Sequence, residues 1–126
     1  MLRFVKLVNT NTNVLKNVIK KDGKNIGNIK LNIIKGDPII TEMYIDEKYR
    51  KKGYGSLLLS NTEQELIKLG AINIRLNLWS LDRCFFNYSQ FYSKKGYVSF
   101  IDSDKNDVLD DGSNLYYNLK LIKNLY

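Results

Sequence analysis

Residues Tyr49-Arg50-Lys51-Lys52-Gly53-Tyr54-Gly55-Ser56, YRKKGYGS, set two glycines and three cations between an apolar run and a Leu-rich run. On the N-terminal side, IITEMYID (39–46) reads as a strand. On the C-terminal side, SLLLSNTEQELIKLG (56–70) reads as a helix, with Leu58, Leu59, Leu66 and Leu69 on a broad apolar face and Gly70 as C-cap. The turn therefore heads a helix. The first backbone N–H groups of a helix have no partner inside it and lie at the positive end of its dipole. Glycines admit unusual dihedrals and let a ligand approach the backbone closely. Such a turn suits a phosphate, and Arg50, Lys51 and Lys52 add charge. The alternative is a solvated turn that binds nothing, and a short glycine motif alone does not separate the two.

Outward from this turn the chain reads as a run of strands before it and, after it, helix, strand, helix, strand, strand. MLRFVKLV (1–8) alternates as a first strand, and NTNTN (9–13) is turn chemistry. VLKNVIKK (14–21) carries apolar residues at 14, 15, 18 and 19, which fits a short helix or a strand. The hairpin signal KDGK (21–24) and the strand-like NIGNIKLNII (25–34) favour the strand. After the helix, INIRLNLW (72–79) alternates, with Ile72, Ile74, Leu76 and Leu78 on one side. Residues 82–94 suggest a second helix ending near Gly96. YVSFID (97–102) and NLYYNLKLI (114–122) read as two final strands joined by the acidic loop SDKNDVLDDGS. With no repeat, linker or composition break, residues 1–126 form a single α+β domain around one mixed sheet.

The residue inventory excludes several chemistries. There is no histidine and one cysteine, Cys84. A Ser-His-Asp triad, a Cys-His pair and a histidine- or thiolate-rich metal site are all ruled out, and no metal is expected. A lone cysteine forms no internal disulfide, so a reducing, cytoplasmic setting is expected. The first residues, MLRFVKLVNTNTN, lack the apolar segment and cleavage site of a signal peptide, and no apolar run approaches the roughly 20 residues that cross a bilayer. The net charge of +7 invites nucleic acid. The cations are spread along a chain that is also rich in Asn, Ile and Tyr, as a general compositional bias would leave them, so a nucleic-acid-binding domain ranks last.

The turn is not a Walker A loop, because no Gly-Lys-Ser/Thr closes it, and it is not a dinucleotide fingerprint, because the next strand ends in Leu-Trp rather than an acidic residue. MYIDEKYRKKGYGSLLL (43–59) instead resembles motif A of the GCN5-related N-acetyltransferases (GNAT), with its Arg/Gln-x-x-Gly-x-Gly/Ala signature. FYSKKGY (91–97) is similar to that family's Tyr-x-x-x-Gly-Phe/Tyr segment. With DGKNIGNIKLNI (22–33) ahead of them, the resemblance covers about residues 20–102.

The resemblance implies a mostly antiparallel central sheet with flanking helices and an acyl-CoA-dependent N-acyltransferase. Acetyl-CoA would be the acyl donor and a primary amine the acceptor, attacking directly. Arg50, Lys51, Lys52, Gly53, Tyr54, Gly55 and Ser56 match the turn that wraps the pyrophosphate. Met43, Tyr44 and Ile45 match the strand end whose backbone holds the pantetheine arm as an added strand would. Tyr92 matches the general acid that protonates the departing thiolate, the alternative being a tyrosine packed on the sheet. Glu42, on the same strand, is the candidate base, directly or through water, with a solvent-facing strand residue as the alternative. Asp46 would help cap the turn. Phe91 and Trp79 read as packing residues and Cys84 as a small buried one. An Asn seven residues before the tyrosine, common in the family, is Phe85 here, and Asn87 is out of register. The family's two helices between the first two strands have no room in residues 9–15, so the N-terminal helical region is shortened and the acceptor side is open, or closed by another subunit or by the acidic loop. Strand-mediated dimers are common in the family, so a homodimer is compatible. The acceptor is not identified. A non-catalytic CoA-binding interaction module is the alternative function.

Overall fold

The computed structural model describes residues 1–9, 11–34, 37–81, 89–99, 108–110, 112 and 115–125. Eight strands form one sheet: β1 (Leu2–Asn9), β2 (Val14–Lys21), β3 (Lys24–Ile34), β4 (Asp37–Ile45), β5 (Asn73–Leu81), β6 (Val98–Ser99), β7 (Val108–Asp110) and β8 (Leu115–Asn124). Their spatial order is β1-β2-β3-β4-β5-β8-β6, with β7 also on β8. The β4–β5 pair is parallel and every other pair is antiparallel. A long helix, α1 (Tyr54–Lys68), links the two parallel strands, as a crossover connection requires. A second helical stretch covers 89–93.

The ambiguous run 14–21 is a strand. β1 and β2 join through a tight turn in which the Asn9 side chain accepts from the backbone N–H groups of Asn11 (3.0 Å) and Thr12 (3.3 Å). No helices intervene between these strands. The next hairpin turns at Asp22 and Gly23, whose φ values of 51° and 82° give the primed geometry that matches strand twist.

The sheet buries one face under α1. Leu58, Leu59 and Leu66 of the helix pack with Ile19, Ile29, Leu31, Ile40, Ile74 and Leu76 of the strands. Each such side chain contributes about 1.5–3 kcal/mol by leaving water. Two expected core residues fall outside it: Leu69 lies past the helix end, 69% exposed, and Ile72 precedes β5, 65% exposed. Thr62 and Glu63 take the buried helix face instead. The helix ends in a Schellman arrangement, Ala71 N–H to Leu66 O and Gly70 N–H to Ile67 O, both 3.0 Å. That reverses the chain over Leu69 and leaves it on the rim.

The expected acidic connection 103–113 holds a further strand, β7, paired with Leu115–Tyr117 of β8. Within the described residues the second helix reaches only 89–93, and Cys84, Phe85 and Asn87 lie outside them. Trp79 sits on β5 opposite Asn118.

Candidate active site

The site begins where β4 and β5 part. Their pairing is confined to Ile39 with Arg75 and Ile40 with Leu76. At the next residue β4 carries a bulge: Leu31 pairs with Ile40 and Lys30 with Glu42, so Thr41 is left over. Its hydroxyl reaches Lys30 O at 3.4 Å. An extra residue bends the strand that carries it. Past this point Thr41–Ile45 keep β3 on one flank and, among the described residues, have no strand on the other. An open flank of unpaired backbone groups is what an amide-bearing chain needs in order to add itself as a strand.

The far end of β4 runs into the glycine turn. A 3-10 turn over Glu47–Tyr49 follows Asp46, whose backbone N–H donates to Ile26 O (2.8 Å) and whose carbonyl accepts from Tyr49 (2.8 Å). The Asp46 side chain makes no capping bond, so this residue serves the turn through its backbone. Gly27 lets β3 come close here. A Cβ at that position would lie 2.5 Å from Tyr44 O and from Ile45 Cδ1.

Arg50 folds back on the strand. Its Nε donates to Ile45 O at 2.7 Å, and its guanidinium lies 5.4 Å from the Tyr44 ring centroid. Thus Arg50 clamps the turn to β4 as well as lending it charge. Lys51 has φ 61° and Gly53 has φ 87°, a left-handed pair that swings the backbone into α1. Gly53 is the N-cap, no side chain caps the helix, and its first turn holds no acidic residue. The leading N–H groups are therefore uncapped by protein side chains, and Lys51 and Lys52 are exposed beside them. This donor set fits a diphosphate.

Gly55 has a different task from Gly53. A Cβ there would meet Met43 Cε at 3.3 Å, Phe91 Cζ at 3.7 Å and Ile45 Cγ1 at 3.8 Å. It sets how closely α1 packs on β4. Ser56 is half-buried in the first turn. Tyr54 accepts a hydrogen bond from Lys21 Nζ at 2.9 Å, and Lys21 also lies over the Tyr54 and Tyr49 rings at 5.4 and 6.0 Å. The Tyr54 hydroxyl holds the Lys21 ammonium above its ordinary pKa. Lys21 thus adds a cation to the turn. Sequence reasoning missed it, because 33 residues separate the partners and nothing local marks the pair.

Tyr92 is buried, and its hydroxyl donates to Met43 Sδ at 3.1 Å. Its ring meets those of Phe91 and Tyr97 edge-on, at 5.0 and 5.6 Å. Tyr97 N–H to Tyr92 O (3.1 Å) and Gly96 N–H to Ser93 O (3.1 Å) close a second Schellman arrangement, which fixes the helical segment carrying Tyr92. Tyr97, Glu63 and Lys123 form a polar triad below it. The Tyr97 hydroxyl donates to Glu63 Oε2 at 2.8 Å, and Lys123 Nζ reaches Glu63 Oε1 at 3.0 Å. Burial, with the Glu63 carboxylate alongside, pushes the Tyr97 phenol well above the ordinary range. This triad was not foreseen, because its members come from α1, the chain after the second helix, and β8.

Glu42 is exposed and lies across from Lys30 on the face away from α1, whereas Met43 faces α1. The fold therefore brings Tyr92 to Met43 but keeps Glu42 on the opposite side of β4.

A family model described as "Acetyltransferase (GNAT) domain" matches residues 13–99. The chain belongs to the GNAT family of acetyltransferase enzymes. The resemblance read from the Arg-x-x-Gly-x-Gly turn and the Tyr92–Tyr97 segment is borne out, as is the GNAT-like mixed sheet. Among GNAT structures, the chain is similar to the PaiA N-acetyltransferase from Thermoplasma acidophilum in complex with coenzyme A. Identity is 26% and the TM-score 0.67, over 91% of this chain and 63% of that one. It is also similar to an IAA acetyltransferase from Bacillus cereus ATCC 14579, at 14% identity and TM-score 0.76, over 98% and 99% of the two chains. A third neighbour is an aminoglycoside 6'-N-acetyltransferase complexed with coenzyme A, at 17% identity and TM-score 0.69, over 92% and 75%. The chain thus spans under two thirds of the Thermoplasma protein and nearly all of the Bacillus one. No curated protein matches the sequence. Among the described residues, no helix is long and apolar enough to cross a membrane.

Proposed function

We propose that this protein transfers an acetyl group from acetyl-CoA to a primary amine. One observation carries the reading: an uncapped helix start, headed by a left-handed Gly53, stands at the end of a strand whose other flank is open. The main-chain N–H groups at Gly53–Ser56, with Lys51, Lys52 and Lys21 around them, bind the diphosphate. The flank of Met43, Tyr44 and Ile45 holds the pantetheine arm. Two structures similar to this chain hold coenzyme A, which agrees with that donor.

Tyr92 then acts as the general acid. The free amine forms the C–N bond at the thioester carbonyl, the C–S bond breaks, and the Tyr92 hydroxyl gives its proton to the leaving sulfur. Its present acceptor is a thioether sulfur at 3.1 Å, so the O–H already points along the flank where a thiolate would leave. Glu42 takes the amine's proton, directly or through a water, from the opposite face of β4. Holding amine and thioester together supplies much of the acceleration.

Calorimetry with coenzyme A tests the binding half, and free thiol released with a panel of amines tests the chemistry. Micromolar binding with amine-dependent thiol release is the expected result. No association at millimolar coenzyme A would overturn the reading. Binding without thiol release would point instead to a CoA-binding interaction module, which the tight β1–β2 turn favours because it builds no acceptor wall.

A further inference from the structure

The two faces of the sheet differ sharply. On β2, Leu15, Asn17 and Ile19 point at α1; the Asn17 amide donates to Asn61 and Thr62 of the helix at 3.0 and 2.9 Å. Lys16, Val18 and Lys20 therefore point the other way. Their cross-strand partners share that face: Lys30 opposite Lys16, Arg3 opposite Lys20, and Glu42 opposite Lys30. Among the described residues no helix packs over this face, and Arg3, Lys16 and Lys30 are exposed.

Lys16–Lys30 and Arg3–Lys20 are like-charge pairs set directly across from one another, an arrangement that costs a sheet stability. Glu42, across from Lys30, offsets part of the first pair; the second pair has no carboxylate in its row among the described residues. These four side chains make no ion pair among the described residues, and the carboxylates on this part of the face are Glu42 and Asp37. The row Lys16–Lys30–Glu42 runs straight to the parted edge of β4. An acceptor reaching that edge from the open face crosses these lysines first.

We infer that this face docks an acidic polypeptide and presents its amine to the site; the inference rests on the acetyltransferase reading above. Anionic side chains relieve the two like-charge pairs. Between the cations the row runs Val5, a buried Val18, Asn28 and the half-exposed Tyr44, and the partly exposed ends, Val5 and Tyr44, suit the apolar side chains of a polypeptide. A nucleic acid fits less well, because it would need aromatic platforms, and Tyr44 is already stacked by Arg50. An aliphatic amine on a polypeptide is also a better nucleophile than a base amine.

Three peptides test this, each with a blocked N-terminus and one central lysine flanked by glutamates, by glutamines or by arginines. Binding is read by fluorescence anisotropy and turnover by thiol release. The glutamate peptide should bind about tenfold or more tightly than the arginine peptide at low salt, with the gap closing at high salt. Lys16→Glu with Lys30→Glu should reverse the order while leaving coenzyme A affinity unchanged; Lys16→Gln with Lys30→Gln should abolish the preference. Equal binding of the three peptides, a preference untouched by both double substitutions, or displacement of the glutamate peptide by RNA at lower concentration would each overturn the inference. Failure of coenzyme A binding would strike the acetyltransferase reading itself, and the anisotropy series would still decide the docking face.

Discussion

The Tyr92 hydroxyl points at Met43 Sδ from 3.1 Å, across the boundary between the second helical segment and β4. The Tyr92 ring packs edge-on with Phe91 and Tyr97, and the thioether that its hydroxyl reaches is a weak acceptor. A hydroxyl directed at a sulfur atom is placed as a group that must give its proton to a leaving sulfur needs to be. Tyr92→Phe should therefore lower kcat by about 10²-fold or more. The KM for acetyl-CoA should stay within about twofold, since the proton is called on only in the transition state. Stability should fall by no more than about 1 kcal/mol, the size of one such hydrogen bond. Steady-state kinetics across pH, with a denaturant melt alongside, checks all three; an unchanged kcat throughout would remove Tyr92 from the chemistry.

The two glycines of the turn should fail in different ways. Gly53→Val meets open space but forces a branched side chain to φ 87°. That strain, about 1–2 kcal/mol, is released by reshaping the turn. Coenzyme A should then bind roughly tenfold more weakly, with kcat at saturation little changed. Gly55→Val instead pushes on Met43 and Phe91, the neighbours of Tyr92. It should cost about 1–3 kcal/mol of stability and depress kcat by displacing the Tyr92 acceptor. Calorimetry for the first and a thermal melt with kcat for the second distinguish these outcomes.

Gly27 lies outside the glycine turn, yet its Cβ position is occupied by the Tyr44 carbonyl and the tip of Ile45. An isoleucine tip can rotate away, but a strand carbonyl cannot. Gly27→Ala should push β3 and β4 apart at the strand end that leads into the glycine turn. A loss of about 1–3 kcal/mol is expected, together with weaker coenzyme A binding. A melt and a calorimetric titration on the same sample test the pair; a stable variant with unchanged affinity would show that the close approach is dispensable.

What could be read along the chain was what is local. The glycine turn, the Leu-rich helix behind it and the alternation of 72–79 are each set within a few residues, and the helix and strand stand within a residue or two of the expected bounds. The parting of β4 from β5 has no local signal: the Thr41 bulge that bends β4 there leaves no mark in TEM. Leu69 and Ile72 continue the apolar periods but fall past the element ends, where the chain reverses. Glu63 reads as a solvated helix residue until Tyr97 and Lys123 arrive from the other half of the chain. The cationic rows show the same limit. Lys16 and Lys30 look like ordinary surface charges until strand register sets them opposite one another.

That triad makes a prediction about alkaline pH. Burial and the adjoining Glu63 carboxylate raise the Tyr97 phenol above its ordinary pKa, while in the unfolded chain it titrates near its ordinary value of about 10. Below that pH both states keep the proton, and the stabilisation is fully present. Above it the unfolded chain loses the proton while the folded chain retains it, so the folded state binds more protons and stability falls as pH rises. The slope due to this residue should approach about 1.4 kcal/mol per pH unit. Tyr97→Phe should remove it. The variant should also lose about 1–3 kcal/mol at neutral pH, because Glu63 then keeps, among the described residues, the half-buried Lys123 alone. Urea denaturation between neutral pH and the strongly alkaline range, on both proteins, measures the difference. Parallel curves would mean that Tyr97 is no more protected from ionisation in the fold than in the open chain.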